Sequence, residues 1–410
     1  MEELRLGRKE RRRMKVLEEV KQRRIALADA AAILGMSYRQ ASRIWLRYRE
    51  QGDKGLVHRG QGRLPNNTID REVKERILQR YQERYVGFGP TLAAEKLTEE
   101  GLPIDHNTLW RWLREAGLWS RHRARSPYRQ RRERKKHFGE MVQLDGSHHC
   151  WFEDRGESCC LMNLVDDATG ITLSLIAKEE TTEAAMQVLW AWVKRYGIPA
   201  SIYCDRKSVY ITEREPTLKE QLAGDEPRTT FGETCRKLGI GIITAYSPQA
   251  KGRVERNHGV YQDRFVKEMR LRGIKTMQEA NAVLDGGFFD GLNRRFAHQP
   301  ASKADYHVPV GAVDLRAVFC YEVQRSVARD WVVQNDCRRF QITREARPRP
   351  RPGSKVTVAQ WLDGSVHLLV KARRSPSKSC SPWPAERRCS PAEGVPDHTG
   401  AMAIRTFLLS

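Results

Sequence analysis

Three carboxylates in this sequence stand where carboxylates need a reason. Asp145 ends the apolar run of "EMVQLDG", Asp205 ends that of "ASIYCD", and Glu255 sits between Arg253 and Arg256 in "SPQAKGRVERNHG". The two aspartates interrupt strand-like runs, and the glutamate lies at the start of a basic helix. If the two strands run side by side in one sheet, the helix after the sheet's last strand can present Glu255 across from both aspartates. Three convergent carboxylates repel one another unless divalent metal neutralises them. Two Mg²⁺ (or Mn²⁺) ions about 4 Å apart can activate an attacking oxygen and stabilise a leaving one during in-line phosphoryl displacement. Asp145, Asp205 and Glu255 are therefore the expected metal ligands and catalytic residues. A surface ion pair explains Glu255 equally well on its own stretch, and the two aspartates decide between the readings.

The elements around these acids have a recognisable order. From Glu140, the runs "EMVQLDGSHHCWF", "SCCLMNLVDDA" and "ITLSLIAK" read as three strands joined by hairpin turns at "EDRGE" and "TG". "TTEAAMQVLWAWVKRYG" is an amphipathic helix with Ala185, Val188, Leu189, Trp192 and Val193 on its apolar stripe, ended by Gly197 and Pro199. A fourth short strand, a helix, a fifth strand and the Glu255 helix follow. This order predicts a mixed five-stranded sheet with helices on both sides, over residues 139–310.

Upstream, "ALADAAAILGMSYRQASRIWLRYREQG" reads as a helix-turn-helix within a domain at residues 1–60. Gly35 supplies the turn, Ser37 caps the second helix, and Ala30, Ala31, Leu34, Ala41, Ile44 and Trp45 form the shared apolar face. Arg39, Gln40, Arg43 and Arg47 project from the other face, where Arg and Gln side chains can read base edges in a major groove. A second helical domain is expected at residues 68–120, and a basic arm at 121–138. The arm holds "RHRARSPYRQRRERKKH", nine Arg or Lys in seventeen residues. Residues 311–371 read as a small β-rich domain, with a hairpin in "PGSKVTVAQWLDGSVHLLVK". The tail from 372 to 410, rich in Arg, Ser, Pro and Cys, has neither hydrophobic period and reads as disordered or degenerate.

Charge is distributed unevenly along the 410 residues, whose net charge is +22. Residues 1–138 carry 34 basic and 18 acidic side chains, residues 139–310 carry 22 and 24, and residues 311–410 carry 17 and 9. Basic flanks around a near-neutral centre suit a polyanion gripped at both ends, and double-stranded DNA is the expected partner. No run of 18 apolar residues exists and the N-terminus has no signal-peptide pattern, so the expected location is the cytoplasm, on the nucleoid, without a membrane partner. The nine cysteines show no paired C-x-x-C spacing and read as reduced thiols. His148, His149, Cys150, Cys159 and Cys160 alternate along strands and do not converge readily on zinc. Asp166 and Asp167 read as turn caps, and His148 and His258 as packing residues or phosphate contacts.

"QLDGSHHCWFEDRG", "LVDDATG", "YCDRKSVY" and "SPQAKGRVERNHGVYQDR", in that order, resemble the DDE transposases of bacterial insertion sequences, the ISNCY group among them. The resemblance runs from about Ala26 to Ile342. It implies an RNase-H-like core of the retroviral integrase type, with the metal-binding triad on Asp145, Asp205 and Glu255. It also implies a chain that binds terminal inverted repeats, cuts the element's ends and joins the freed 3′-OH to target DNA. Paired ends imply a homo-oligomer, at least a dimer. Lys251, Arg253 and Arg256 are then expected to face phosphate. The 50-residue separation of Asp205 and Glu255 includes the charged stretch Tyr210–Thr230, which reads as a loop insertion. A DNA-binding repressor with a vestigial core, or a nuclease without strand transfer, would share most of these features.

Overall fold

The structure is a computed structural model that describes residues 7–57, 69–120, 132–245, 252–344, 346 and 349–370. Lys251, most of the basic arm and the tail from 372 onward lie outside the described residues. The chain divides into two compact units, Met1–Glu83 and Arg84–Ser410.

In the first unit, α1 (Arg8–Lys21), α2 (Leu27–Leu34) and α3 (Tyr38–Gln51) surround a small core. Leu17, Ile44, Tyr48 and Leu56 are buried there, with Met36 and Trp45 packed against them. The expected α2–turn–α3 motif is present. Gly35 ends α2 at φ 64°, a left-handed conformation that disfavours a β-carbon, and Ser37 caps α3 by accepting a hydrogen bond from the Gln40 amide at 3.3 Å. The Tyr48 hydroxyl donates to Glu18 on α1 at 2.7 Å, tying that helix to the motif. A further helix, α4 (Arg71–Arg84), follows. The unit boundary falls at its end.

The second unit starts with α5 (Pro90–Glu99) and α6 (His106–Glu115), the latter capped by Asp105, which accepts from the Asn107 amide at 2.9 Å. The sheet follows: β1 (Val142–His149), β2 (Cys159–Asp166), β3 (Thr172–Ala177), then α7 (Thr182–Tyr196) and β4 (Ser201–Cys204). Next come α8 (Leu218–Ala223), α9 (Thr230–Leu238), β5 (Gly241–Thr244), α10 (Gly252–Leu271), α11 (Met277–Val283) and α12 (Phe289–Phe296). The spatial order is β3-β2-β1-β4-β5, antiparallel across the first three and parallel from β1 through β5. This is the expected mixed sheet in an RNase-H-like arrangement.

Alternation along β1 and β2 supplies both faces with apolar side chains. Val142, Leu144, Met162 and Leu164 join Trp192 and Leu189 of α7 in one core. Leu161 and Ile176 join Tyr261, Phe265 and Phe289 in the other, under α10 and α12. Each fully buried large side chain contributes about 1.5–3 kcal/mol of transfer free energy, so the two layers fix the sheet between helices. The stretch Tyr210–Thr230 is more ordered than a plain loop. Thr217 and Glu220 cap α8 reciprocally, and Arg214 pairs with Glu220 at 2.8 Å.

The C-terminal strands are β6 (Cys320–Ser326), β7 (Val332–Asn335), β8 (Arg338–Gln341), β9 (Lys355–Trp361) and β10 (Val366–Leu369). They form a three-stranded antiparallel sheet, β10-β9-β6, and the hairpin β7-β8. Val356, Val358 and Leu368 of the expected hairpin are buried with Val333 and Phe340. Among the described residues, no helix is long and apolar enough to cross a membrane.

Candidate active site

Strand register brings Asp145 and Asp205 together. The parallel ladder between β1 and β4 pairs Val142 with Ile202 and Gln143 with Tyr203. Each aspartate lies two residues past that last pair, where the two strands separate. Side chains at equivalent positions on diverging strands can turn toward the gap, and both aspartates are half-buried there. Their carboxylates lie within 4.8 Å of each other and of a third carboxylate, Glu180.

Glu180 was not among the expected ligands. It precedes Thr181, whose hydroxyl caps α7 by accepting from the Ala184 amide at 3.2 Å. The only signal in sequence is the acid pair "KEETT" between a strand and a helix, a composition shared by ordinary helix starts. The Glu180 side chain is 4 % exposed. Tyr210 donates to its Oε1 at 2.8 Å, and the Lys207 ammonium reaches its Oε2 at 2.5 Å and Asp205 at 3.5 Å. Burial, joined by Glu180, pushes the Tyr210 hydroxyl well above its ordinary range, so it remains a donor. Burial opposes the Lys207 charge, but Glu180, Asp205 and Asp145 outweigh it and hold the ammonium above the usual lysine value.

Room for Glu180 comes from Gly146. A β-carbon at that position would fall 2.4 Å from Glu180 Oε2 and 3.0 Å from Cys160 Sγ. The glycine is required by space, not by backbone conformation. His148 and Cys160 also come within 4.8 Å of Glu180. Burial first, then Glu180, pushes the Cys160 thiol up to about 12, so it stays protonated in this acidic setting. The His and Cys residues of this region thus supply no zinc-type cluster of four among the described residues.

Glu255 lies on the first turn of α10 and is solvent-exposed. It belongs to neither group of convergent ligands among the described residues. The helix that carries it is nonetheless bound to the strands beside Asp145. The Val254 amide donates to Gln143 Oε1 at 3.3 Å, and Asn163, the antiparallel partner of Asp145, donates to Asn257 Oδ1 at 2.7 Å. The loop leading into α10, residues 246–251, lies outside the described residues, and with it the candidate phosphate contact Lys251.

Arg253 is turned inward. Its side chain is 12 % exposed and pairs with the fully buried Asp167, while its Nη2 donates to the Arg132 carbonyl at 2.7 Å. Asp167 also pairs with Arg132 and accepts from Gln143 Nε2 at 2.7 Å and the Lys135 amide at 2.8 Å. Arg134 donates to the Asp167 and Ala168 carbonyls at 3.2 and 3.3 Å. The described end of the basic arm is therefore bound to the core, because a buried carboxylate needs paired cations and donors. Asp166, in contrast, is a cap as expected: it accepts from the Thr169 amide and hydroxyl, each at 2.7 Å, and from the Gly139 amide at 3.0 Å. Arg256 is exposed and donates to the Gly252 carbonyl at 2.8 Å. In the first unit Arg39, Gln40 and Arg43 are exposed on α3, whereas Arg47 is half-buried with its Nε on the Arg43 carbonyl at 3.3 Å.

An oxygen-only donor set of three carboxylates fits a hard divalent cation, and the lysine ammonium among them shows that the cluster already requires positive charge. The chain is 37 % identical over 368 residues to "Putative transposase y4bF" of Sinorhizobium fredii, covering 89 % of this chain and 79 % of that one. The chain belongs to the bacterial transposases. A second relative, "Transposase for insertion sequence IS1202" of Streptococcus pneumoniae, is 30 % identical over 321 residues, covering 69 % of this transposase and 68 % of the relative. Residues 12–64 match the helix-turn-helix domain family. Among solved structures, the HTLV-2 integrase catalytic core in complex with magnesium aligns at 18 % identity and TM-score 0.29, over 37 % of this transposase and 85 % of that chain. A simian T-cell lymphotropic virus intasome in complex with PP2A regulatory subunit B56 gamma aligns at 16 % and 0.32, over 67 % and 91 %.

Proposed function

We propose that this transposase binds the terminal inverted repeats of its insertion sequence, cleaves the DNA ends and joins the 3′-OH to target DNA by two-metal phosphoryl transfer. The observation that carries the reading is the pairing of Asp145 and Asp205 at equivalent positions past the last β1–β4 pair. A transposase with a helix-turn-helix and paired acids at strand ends has the parts for end recognition and for polynucleotidyl transfer.

Bound divalent metal would supply charge neutralisation and activation of the attacking oxygen. Asp145 and Asp205 would hold it from the two strand ends, and Glu255 would complete the set from the first turn of α10. Gln143 and Asn163 position that helix by gripping its first turns. Arg253 is assigned to the same task through Asp167, and Arg256 and Lys251 to phosphate. On α3, Arg39, Gln40 and Arg43 would read base edges, with Arg47 supporting their helix. Residues 68–120 and the arm at 121–138 would add further DNA contacts. Pairing of two ends calls for at least a dimer.

The test uses the full chain, a duplex ending in the element's own terminal repeat, and a target plasmid. Nicks at the repeat boundary followed by joined products in Mg²⁺ support the reading. Repeat binding without cutting would indicate a repressor, and cutting without joining a nuclease.

A further inference from the structure

We propose that Glu180 is an additional ligand of the divalent-metal site, and that the Lys207 ammonium occupies the cation position until metal displaces it. The inference rests on the assignment of Asp145 and Asp205 as metal ligands. Glu180 comes from a different element than either strand aspartate, yet its carboxylate lies within 4.8 Å of both. A buried glutamate next to two aspartates is costly unless something positive stays with them.

Its two oxygens are held differently. Oε1 accepts from the buried Tyr210 hydroxyl at 2.8 Å, an attachment that positions the carboxylate without neutralising it. Oε2 meets the Lys207 ammonium at 2.5 Å, and the same ammonium is 3.5 Å from Asp205. The Lys207 side chain is 46 % exposed and sits on a flexible four-carbon stem. It can leave toward solvent while Tyr210 keeps Glu180 in place. Oε2 is also the oxygen that a side chain at position 146 would strike, so the glycine preserves the ligand's position. One oxygen fixed by a neutral donor and one held by a removable cation is the arrangement a metal ligand needs. A plain Lys–Glu surface pair would not require burial of the acid, a glycine beneath it or a shared second aspartate.

The test is Mn²⁺ binding to the full-length, DNA-free protein, read as free Mn²⁺ by electron paramagnetic resonance. Glu180→Gln should weaken binding by about tenfold or more. Gly146→Ala, which leaves all charges intact, should weaken it in the same direction. Lys207→Met should tighten binding, because the competing ammonium is gone. If Glu180→Gln or Lys207→Met leaves the affinity unchanged while Asp205→Asn weakens it, Glu180 is only a partner for Lys207 and the proposal is wrong. If Asp145→Asn and Asp205→Asn also leave it unchanged, the assignment of the aspartates fails together with the proposal.

Discussion

The carboxylate of Asp167, at the turn after β2, holds the guanidinium of Arg253 on the first turn of α10, 86 positions away in sequence. That pair locks the start of the Glu255 helix to the strand system carrying Asp145, with Gln143 bonded to both Asp167 and the Val254 amide. An acid with no exposed side-chain surface thus helps to position the helix that offers the third candidate ligand.

Removing that acid should be expensive. Asp167→Ala leaves the Arg253 guanidinium, the Gln143 amide and the Lys135 N–H without their shared acceptor, and truncating one member of a buried ion-pair set costs about 3–5 kcal/mol. Urea unfolding of the full chain checks this, with a lowered midpoint expected. A change under about 1 kcal/mol would show that water replaces the carboxylate without loss.

Arg39→Ala and Arg43→Ala should each lower discrimination for the terminal repeat over random DNA by about 1–3 kcal/mol. Both side chains are exposed on α3, so fold stability should not change. Competition gel shifts measure the ratio. Equal weakening on both DNAs would make them phosphate contacts.

Leu368→Ala should destabilise the C-terminal strands by about 2–5 kcal/mol, since Leu368 is 3 % exposed and pairs across from Val358. Thermal melting of the full chain reads the loss. An unchanged transition would mean that this sheet contributes nothing to the cooperative unit.

Glu268 on α10 meets Lys96 at 3.0 Å and Arg272 at 2.7 Å. Burial opposes its charge, but the two cations outweigh burial and hold its carboxyl below the ordinary value of 4.5. A depressed folded pKa means stability that is complete above 4.5 and is lost as pH falls through the lower folded value. Glu268→Gln should therefore flatten the acid limb of the stability curve. Identical limbs in both proteins would rule out this linkage.

Much of the catalytic fold was legible from local pattern. The turn residues at "EDRGE" and "TG", the strand-like runs between them and the stripe from Ala185 to Val193 each report on near neighbours, and each element formed as expected. So did Gly35 and Ser37 in the helix-turn-helix. What local pattern could not show is long-range pairing. Glu180 joins the aspartates only because β1 offers Gly146 beneath it and Lys207 and Tyr210 reach back from beyond β4. Asp167 looks like a turn cap until Arg132 and Arg253 arrive from distant segments. The same pairing binds Arg253, expected from its basic neighbourhood to face phosphate, to the buried Asp167. The basic helix α1 was missed because its mostly charged sequence masks Leu17, the residue it buries.

The central claim is that paired strand-end aspartates run metal-dependent phosphoryl transfer on the element's ends. The direct measurement is Mg²⁺-dependent cleavage of terminal-repeat DNA by wild type, Asp145→Asn, Asp205→Asn and Glu255→Gln, with repeat binding measured in parallel. Each substitution keeps the side chain's shape and removes the charge that would hold metal. Cleavage should fall by more than about a hundredfold in each variant while binding stays within about twofold of wild type. Near-normal cutting by Asp145→Asn or Asp205→Asn would contradict the account, and near-normal cutting by Glu255→Gln would remove that residue from the set.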